Sequence, residues 1–161
     1  GGLYHRRGEW GNLPEGEVFT AAKRADGIIV ADEIGDYFAE KYGVISDTPI
    51  YIPVKDSRVC IDEIMCERTE IREELARYLK TDQFSSRLGE VALGTNIFLK
   101  RLIGNFLQDE KFPTVHVAFG NPIPSETGAD WSSTTHVDVL MKDCTVWVDD
   151  EKIMEDAKYL L

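Results

Sequence analysis

The chain has 161 residues, 43% hydrophobic and 29% charged, which is the make-up of one globular domain. Its 18 Lys and Arg against 29 Asp and Glu leave a net charge of −11, which argues against phosphate backbones and anionic lipid, so neither nucleic acid nor a membrane is expected as a partner. No apolar run reaches the roughly 18 residues of a spanning helix, and no secretory pattern opens the sequence. Three cysteines, Cys60, Cys66 and Cys144, are odd in number and lack Cys-x-x-Cys spacing. They fit a reducing cytoplasm better than a disulfide framework or a zinc ribbon. The opening Gly1-Gly2 fits a piece of a longer protein or an expression scar.

In chain order, Tyr4 to Arg7 reads as a solvated arm, and Asn12-Leu13-Pro14-Glu15-Gly16 as a turn-like run before the first strand. Strands are expected at Glu17–Ala21 and Gly27–Ala31. A helix follows over Glu33–Tyr42, with Ile34 and Phe38 one turn apart and Gly43 suited to the left-handed position past its end. Strands return at Ile50–Val54 and Val59–Met65. The spacing of Ile71, Leu75 and Tyr78–Leu79 predicts a second helix over Thr69–Lys80, with Glu73 and Arg77 paired outside. After a strand at Arg87–Leu93, Asn96 can cap a third helix running to about Glu110. Its broad arc of Phe98, Leu99, Leu102, Ile103 and Phe106 predicts burial. The last strands are Val115–Phe119, Thr135–Met141 and Thr145–Val148, the final two joined by Lys142-Asp143-Cys144 as in an antiparallel hairpin. Successive strands without intervening helices imply an α+β fold: a mixed, largely antiparallel curved sheet with about three helices, in one domain over 1–161.

Most carboxylates sit in charged runs such as Asp32-Glu33 and Asp149-Asp150-Glu151, as solvated groups do. Others interrupt apolar strands: Glu17 opens Val18-Phe19, Glu90 lies within Leu88–Gly94, His116 stands between Val115 and Val117, and His136 and Asp138 lie within 135–140. Successive strand side chains point to opposite faces, so His136 and Asp138 share one face while Val137 and Val139 share the other. His116 shares its face with small Ala118, and Glu90 with Ala92. Small neighbours leave room for something bulkier than a side chain. A half-buried unpaired carboxylate costs several kcal/mol in order of magnitude unless a cation relieves it. Each group taken alone fits an ordinary core or surface residue; together they fit a divalent ion. Imidazole plus carboxylate without thiolate suits Zn²⁺, Mn²⁺, Co²⁺ or Fe²⁺ rather than Cu(I) or an iron–sulfur cluster.

Four segments, in order, resemble the metallo-aminopeptidases of the aminopeptidase T, aminopeptidase S and PepS type. They are Gly11–Thr20, Arg87–Asn96, Asp109-Glu110 followed by Val115–Gly120, and His136-Val137-Asp138. The resemblance implies the metal-bearing, carboxyl-terminal part of a two-domain cytoplasmic exopeptidase, a homodimer acting on peptides. It implies two divalent ions (Zn, Co or Mn) held by Glu17, Glu90, Glu110, His116, His136 and Asp138, with Glu90 also serving as, or beside, the general base. Asn121-Pro122-Ile123-Pro124 stands where the aminopeptidase T branch carries a tyrosine. The architecture is also similar to ring-opening iron dioxygenases of dihydroxypyridines, where His116, His136 and Asp138 would hold a single Fe²⁺. Glu17 and Glu90 favour the peptidase, because a second ion needs them. The remaining alternative is a domain that folds and self-associates without turnover.

Overall fold

The computed structural model describes residues 6–8, 11, 14–35 and 37–160. Of the amino-terminal arm, Arg6 and Arg7 are exposed, while Tyr4 and His5, like Asn12 and Leu13 of the following run, lie outside the described residues.

The centre of the molecule is a five-stranded sheet of β1 (Glu17–Thr20), β6 (Leu88–Gly94), β7 (Val115–Gly120), β8 (His136–Met141) and β3 (Glu33–Ile34), in that spatial order. A second sheet joins β2 (Gly27–Ala31), β4 (Ile50–Lys55) and β5 (Arg58–Val59). A third, β9 (Val146–Val148), β10 (Glu151–Glu155) and β11 (Lys158–Tyr159), ends the chain. Every described strand pair is antiparallel. Helices α1 (Tyr37–Tyr42), α2 (Thr69–Tyr78), α3 (Phe106–Asp109) and α4 (Pro124–Thr127) are short. The fold is α+β, as the order of elements implied.

Alternation divides the central sheet into two faces. Leu88, Val117, Phe119, Val137 and Val139 point into the core, where they meet Ile29, Ile50, Ile52 and Val54 of the second sheet and Ile71 and Leu75 of α2. The opposite face carries the polar groups. Val137→Ala should therefore lower stability by about 2 kcal/mol through the cavity it leaves, with no change in bound metal. Chemical denaturation beside metal analysis checks both halves of that expectation.

Four local expectations are corrected by tertiary interactions. Glu33 and Ile34 are strand, not helix, because they pair with Leu140 and Val139, and Gly35 N–H still donates to Asp138 O at 2.8 Å. The helix starts only afterwards and ends as expected, with Gly43 at φ 63° and its N–H on Ala39 O. The long helix over 96–110 is reduced to α3. Gly104 adopts φ 76°, and the Asp109 carboxylate accepts the N–H groups of Ile103 and Gly104, so the chain turns where a helix would continue. Phe98, expected inside, is 82% exposed. Strands β8 and β9 form no hairpin. Both edges of β8 are already filled, by β7 and β3, so β9 pairs with β10 instead. The segment 59–65 keeps only Val59 as strand before a 3₁₀ turn at Ile61–Glu63, and Met65 bridges back to Tyr51.

Candidate metal centre

Strand register places the polar residues of the open face. Glu90 lies opposite Ala118, and Ala118 opposite Asp138; His116 lies opposite Ala92, His136 opposite Gly120, and Glu17 opposite Gly94. Each of these five candidates thus faces an alanine or glycine across the sheet, which leaves a hollow for their heads to converge. A bulge at Gly89 decides the face of Glu90. Without it Leu88 and Glu90 would point the same way; with it Leu88 enters the core and Glu90 the site. Only glycine fits there, since a Cβ on residue 89 would stand 2.5 Å from Gly120 O.

Two groups result. Glu17, Glu90 and His116 form one, and Glu90, His136 and Asp138 the other, with the ligand atoms of each within 4.8 Å of one another. His116 Nε2 lies 3.3 Å from Glu17 Oε2 and 3.8 Å from Glu90 Oε1. His136 Nε2 lies 3.2 Å from Asp138 Oδ2 and 3.9 Å from Glu90 Oε2. Glu90 therefore serves both groups, one oxygen toward each. Its contacts are longer than hydrogen bonds, so the carboxylate is surrounded without being satisfied.

His136 is held firmly. Its Nδ1 lies 2.8 Å from Asn121 O, so a proton on Nδ1 donates to that carbonyl and leaves the Nε2 lone pair facing the carboxylates. Tyr78, at the end of α2, donates its hydroxyl proton to His136 O and accepts the His136 N–H. Just upstream, the Asp82 carboxylate accepts bonds from Ser133 and from the Thr134 backbone and hydroxyl.

The charges are interdependent. Burial, then the Asp138 charge, push the Glu90 carboxyl up to about 7, against the pull of the two imidazoles. Burial raises Glu17 too, but hydrogen bonds from His116 and Lys111 outweigh it and hold that carboxyl near 2. Burial disfavours the His136 cation, yet the Asp138 partner overcomes it and lifts the imidazole to about 9. His116 is raised likewise, its burial outweighed chiefly by Glu17. Protons thus fill the place of a stronger cation.

Glu110 belongs to neither group. It joins the cluster through Lys111, whose Nζ lies 2.6 Å from Glu110 Oε1 and 2.7 Å from Glu17 Oε1. Together with Asp138, Glu110 also lines a cleft of about 510 Å³ walled by Phe106 and Leu107. Sequence reasoning missed Lys111 altogether, because nothing in its local pattern separates a buried lysine from a solvated one. It also misplaced Glu33. Far from being solvated beside Asp32, Glu33 is fully buried, receives no donor at either oxygen, and lies against the Asp109 carboxyl.

One face of the antiparallel sheet thus carries two carboxylate–imidazole groups that share one glutamate, each able to hold a metal ion. Only one lysine offsets the carboxylates of Glu17, Glu90, Glu110 and Asp138 among the described residues, so the donor set fits divalent cations. The chain belongs to the thermophilic metalloprotease (M29) family, whose model matches residues 5–154. Among solved structures it is similar to wild-type AmpT from Thermus thermophilus, with a TM-score of 0.67 and 26% identity over 93% of this chain and 41% of that one. It is also similar to 2,5-dihydroxypyridine dioxygenase from Pseudomonas putida KT2440, with a TM-score of 0.65 over 88% of this chain and 42% of that one. At 17% identity the second likeness shows the fold alone. The chain spans less than half the length of either structure. No curated protein matches it significantly. No helix among the described residues is long and apolar enough to cross a membrane.

Proposed function

We propose that this chain is the metal-bearing part of an aminopeptidase that removes the first residue of peptides, using two divalent ions (Zn²⁺, Co²⁺ or Mn²⁺). Glu17, Glu90 and His116 would hold one ion, and Glu90, His136 and Asp138 the other. The observation that carries this reading is the double reach of Glu90, with Oε1 toward His116 and Oε2 toward His136. Bound there, the ions would supply a Lewis acid for the scissile carbonyl and an acidified water. The chain's own part is to bind, orient and move protons. Glu90 would serve as, or beside, the general base, and Glu110 and Asp138 line the cleft with negative charge that suits a cationic amino terminus. The Phe106 and Leu107 wall suits an apolar first side chain.

A single-ion triad of His116, His136 and Asp138 is less well supported, because His116 groups with Glu17 rather than with the other two. Metal analysis with a peptide assay separates the readings. Two ions per chain and release of amino acids from unblocked peptides, with amino-blocked ones untouched, are expected. One tightly held Fe²⁺ with oxygen uptake on a dihydroxypyridine would overturn the proposal, as would two bound ions without turnover in the full-length protein. Asp138→Ala should release metal from the second group while the circular dichroism spectrum stays unchanged. Unaltered stoichiometry in that variant would remove Asp138 from the ligand set.

A further inference from the structure

Lys111 takes no part in the chemistry proposed above, yet it is one of the most buried side chains of the protein, 1% exposed. The backbone around it is fixed. Lys111 N–H donates to Gln108 O, Asn96 N–H donates to Lys111 O at 2.9 Å, and Gly94 packs so closely that a Cβ would collide with Phe112 O. From this anchorage Nζ reaches Glu17 Oε1 at 2.7 Å and Glu110 Oε1 at 2.6 Å. The other oxygen of Glu17 faces His116 Nε2. One of the two groups therefore contains a ligand carboxylate already engaged by a permanent cation. The group of Glu90, His136 and Asp138 has no Lys or Arg ion pair among the described residues.

A buried ammonium does two things to a neighbouring cation site. It offsets repulsion between carboxylates while the site is empty, and it repels and competes with a divalent ion that approaches the same oxygens. Resting on the two-ion reading, we infer that Lys111 is a built-in counter-ion that makes the two positions unequal. It keeps the Glu17–Glu90–His116 position assembled when empty and lowers its affinity for a divalent cation, so the Glu90–His136–Asp138 position fills first. Glu110 serves in this arrangement as the second anchor of the ammonium.

The test is calorimetric titration of the metal-free chain with Zn²⁺, beside its melting temperature. The wild type should bind in two steps, the weaker of which disappears in Glu17→Gln. In Lys111→Met the weaker step should tighten by about tenfold or more, while the metal-free protein melts lower and Zn²⁺ restores it. Lys111→Gln, which keeps hydrogen bonds without the charge, should shift affinity the same way and replaces the methionine variant if that one does not fold. Lys111→Arg should keep the gap between the steps. A weaker step that is unchanged or loosened in both neutral variants overturns the inference and leaves Lys111 a structural residue. So does a weaker step that survives Glu17→Gln and vanishes in Asp138→Ala. A single step of one ion in the wild type would instead defeat the two-ion reading itself, whereas a single step of two ions would overturn the inference, since the two positions would then be equal.

Discussion

Glu90→Gln should cut turnover by about 10²-fold or more and reduce bound metal from two ions to one. The substitution preserves shape and one oxygen, and so leaves the strand, the bulge at Gly89 and the packing of Leu88 undisturbed. What it removes is the second oxygen. Glu90 is oriented with Oε1 toward His116 and Oε2 toward His136, and an amide nitrogen on either side deprives that group of its third donor. It also removes the only carboxylate common to both groups, the one proposed to serve as, or beside, the general base. The measurement is a steady-state rate on unblocked peptides with metal counted in the same samples. A rate near wild type with two ions still bound would show Glu90 to be an ordinary strand residue.

How much of this site the sequence discloses depends on whether the deciding interaction is local. The alternation in 135–141 is local, so the shared face of His136 and Asp138, and the core face of Val137 and Val139, could be read directly. The pairing of His116 with small Ala118 is equally local. The orientation of Glu90 relative to Leu88 is not, because the bulge between them exists only in the pairing with β7. Nor is the helix that 96–110 promises by its apolar arc. Gly104 and the Asp109 carboxylate settle that segment through bonds to Ile103 and Gly104, and Asn96 spends its side-chain amide on Glu15 O. The apparent hairpin after β8 fails for a similar reason, since strand edges are filled by partners distant in sequence. Lys111 and Glu33 are the extreme cases. Lys111 meets Glu17 of β1 and Glu33 meets Asp109 of α3, partners distant in sequence that no local pattern signals.

Glu33 leads to the other large effect, on stability rather than rate. Its carboxyl is fully buried, and burial together with the adjacent Asp109 charge pushes it up to about 8 from the ordinary 4.5. Asp109 is committed as an acceptor to Ile103 and Gly104, and Glu33 beside it is the carboxyl that burial keeps protonated. Below about pH 4.5 Glu33 is protonated whether the chain is folded or not, and it contributes no pH dependence. As pH rises toward 8 the unfolded chain releases this proton while the folded one keeps it. The native state then binds more protons than the unfolded state, and stability falls across that window and levels off above it. Glu33→Gln keeps the size of the side chain and carries no titratable proton. The variant should match the wild type near pH 4.5 and exceed it by about 2–4 kcal/mol near pH 8 and above. Urea unfolding of both proteins across that range, in chelator so that bound metal does not contribute, makes the comparison. A constant difference at every pH, or a variant less stable at pH 8, would mean that Glu33 is ionised in the native protein and draws a cation that the described residues do not supply.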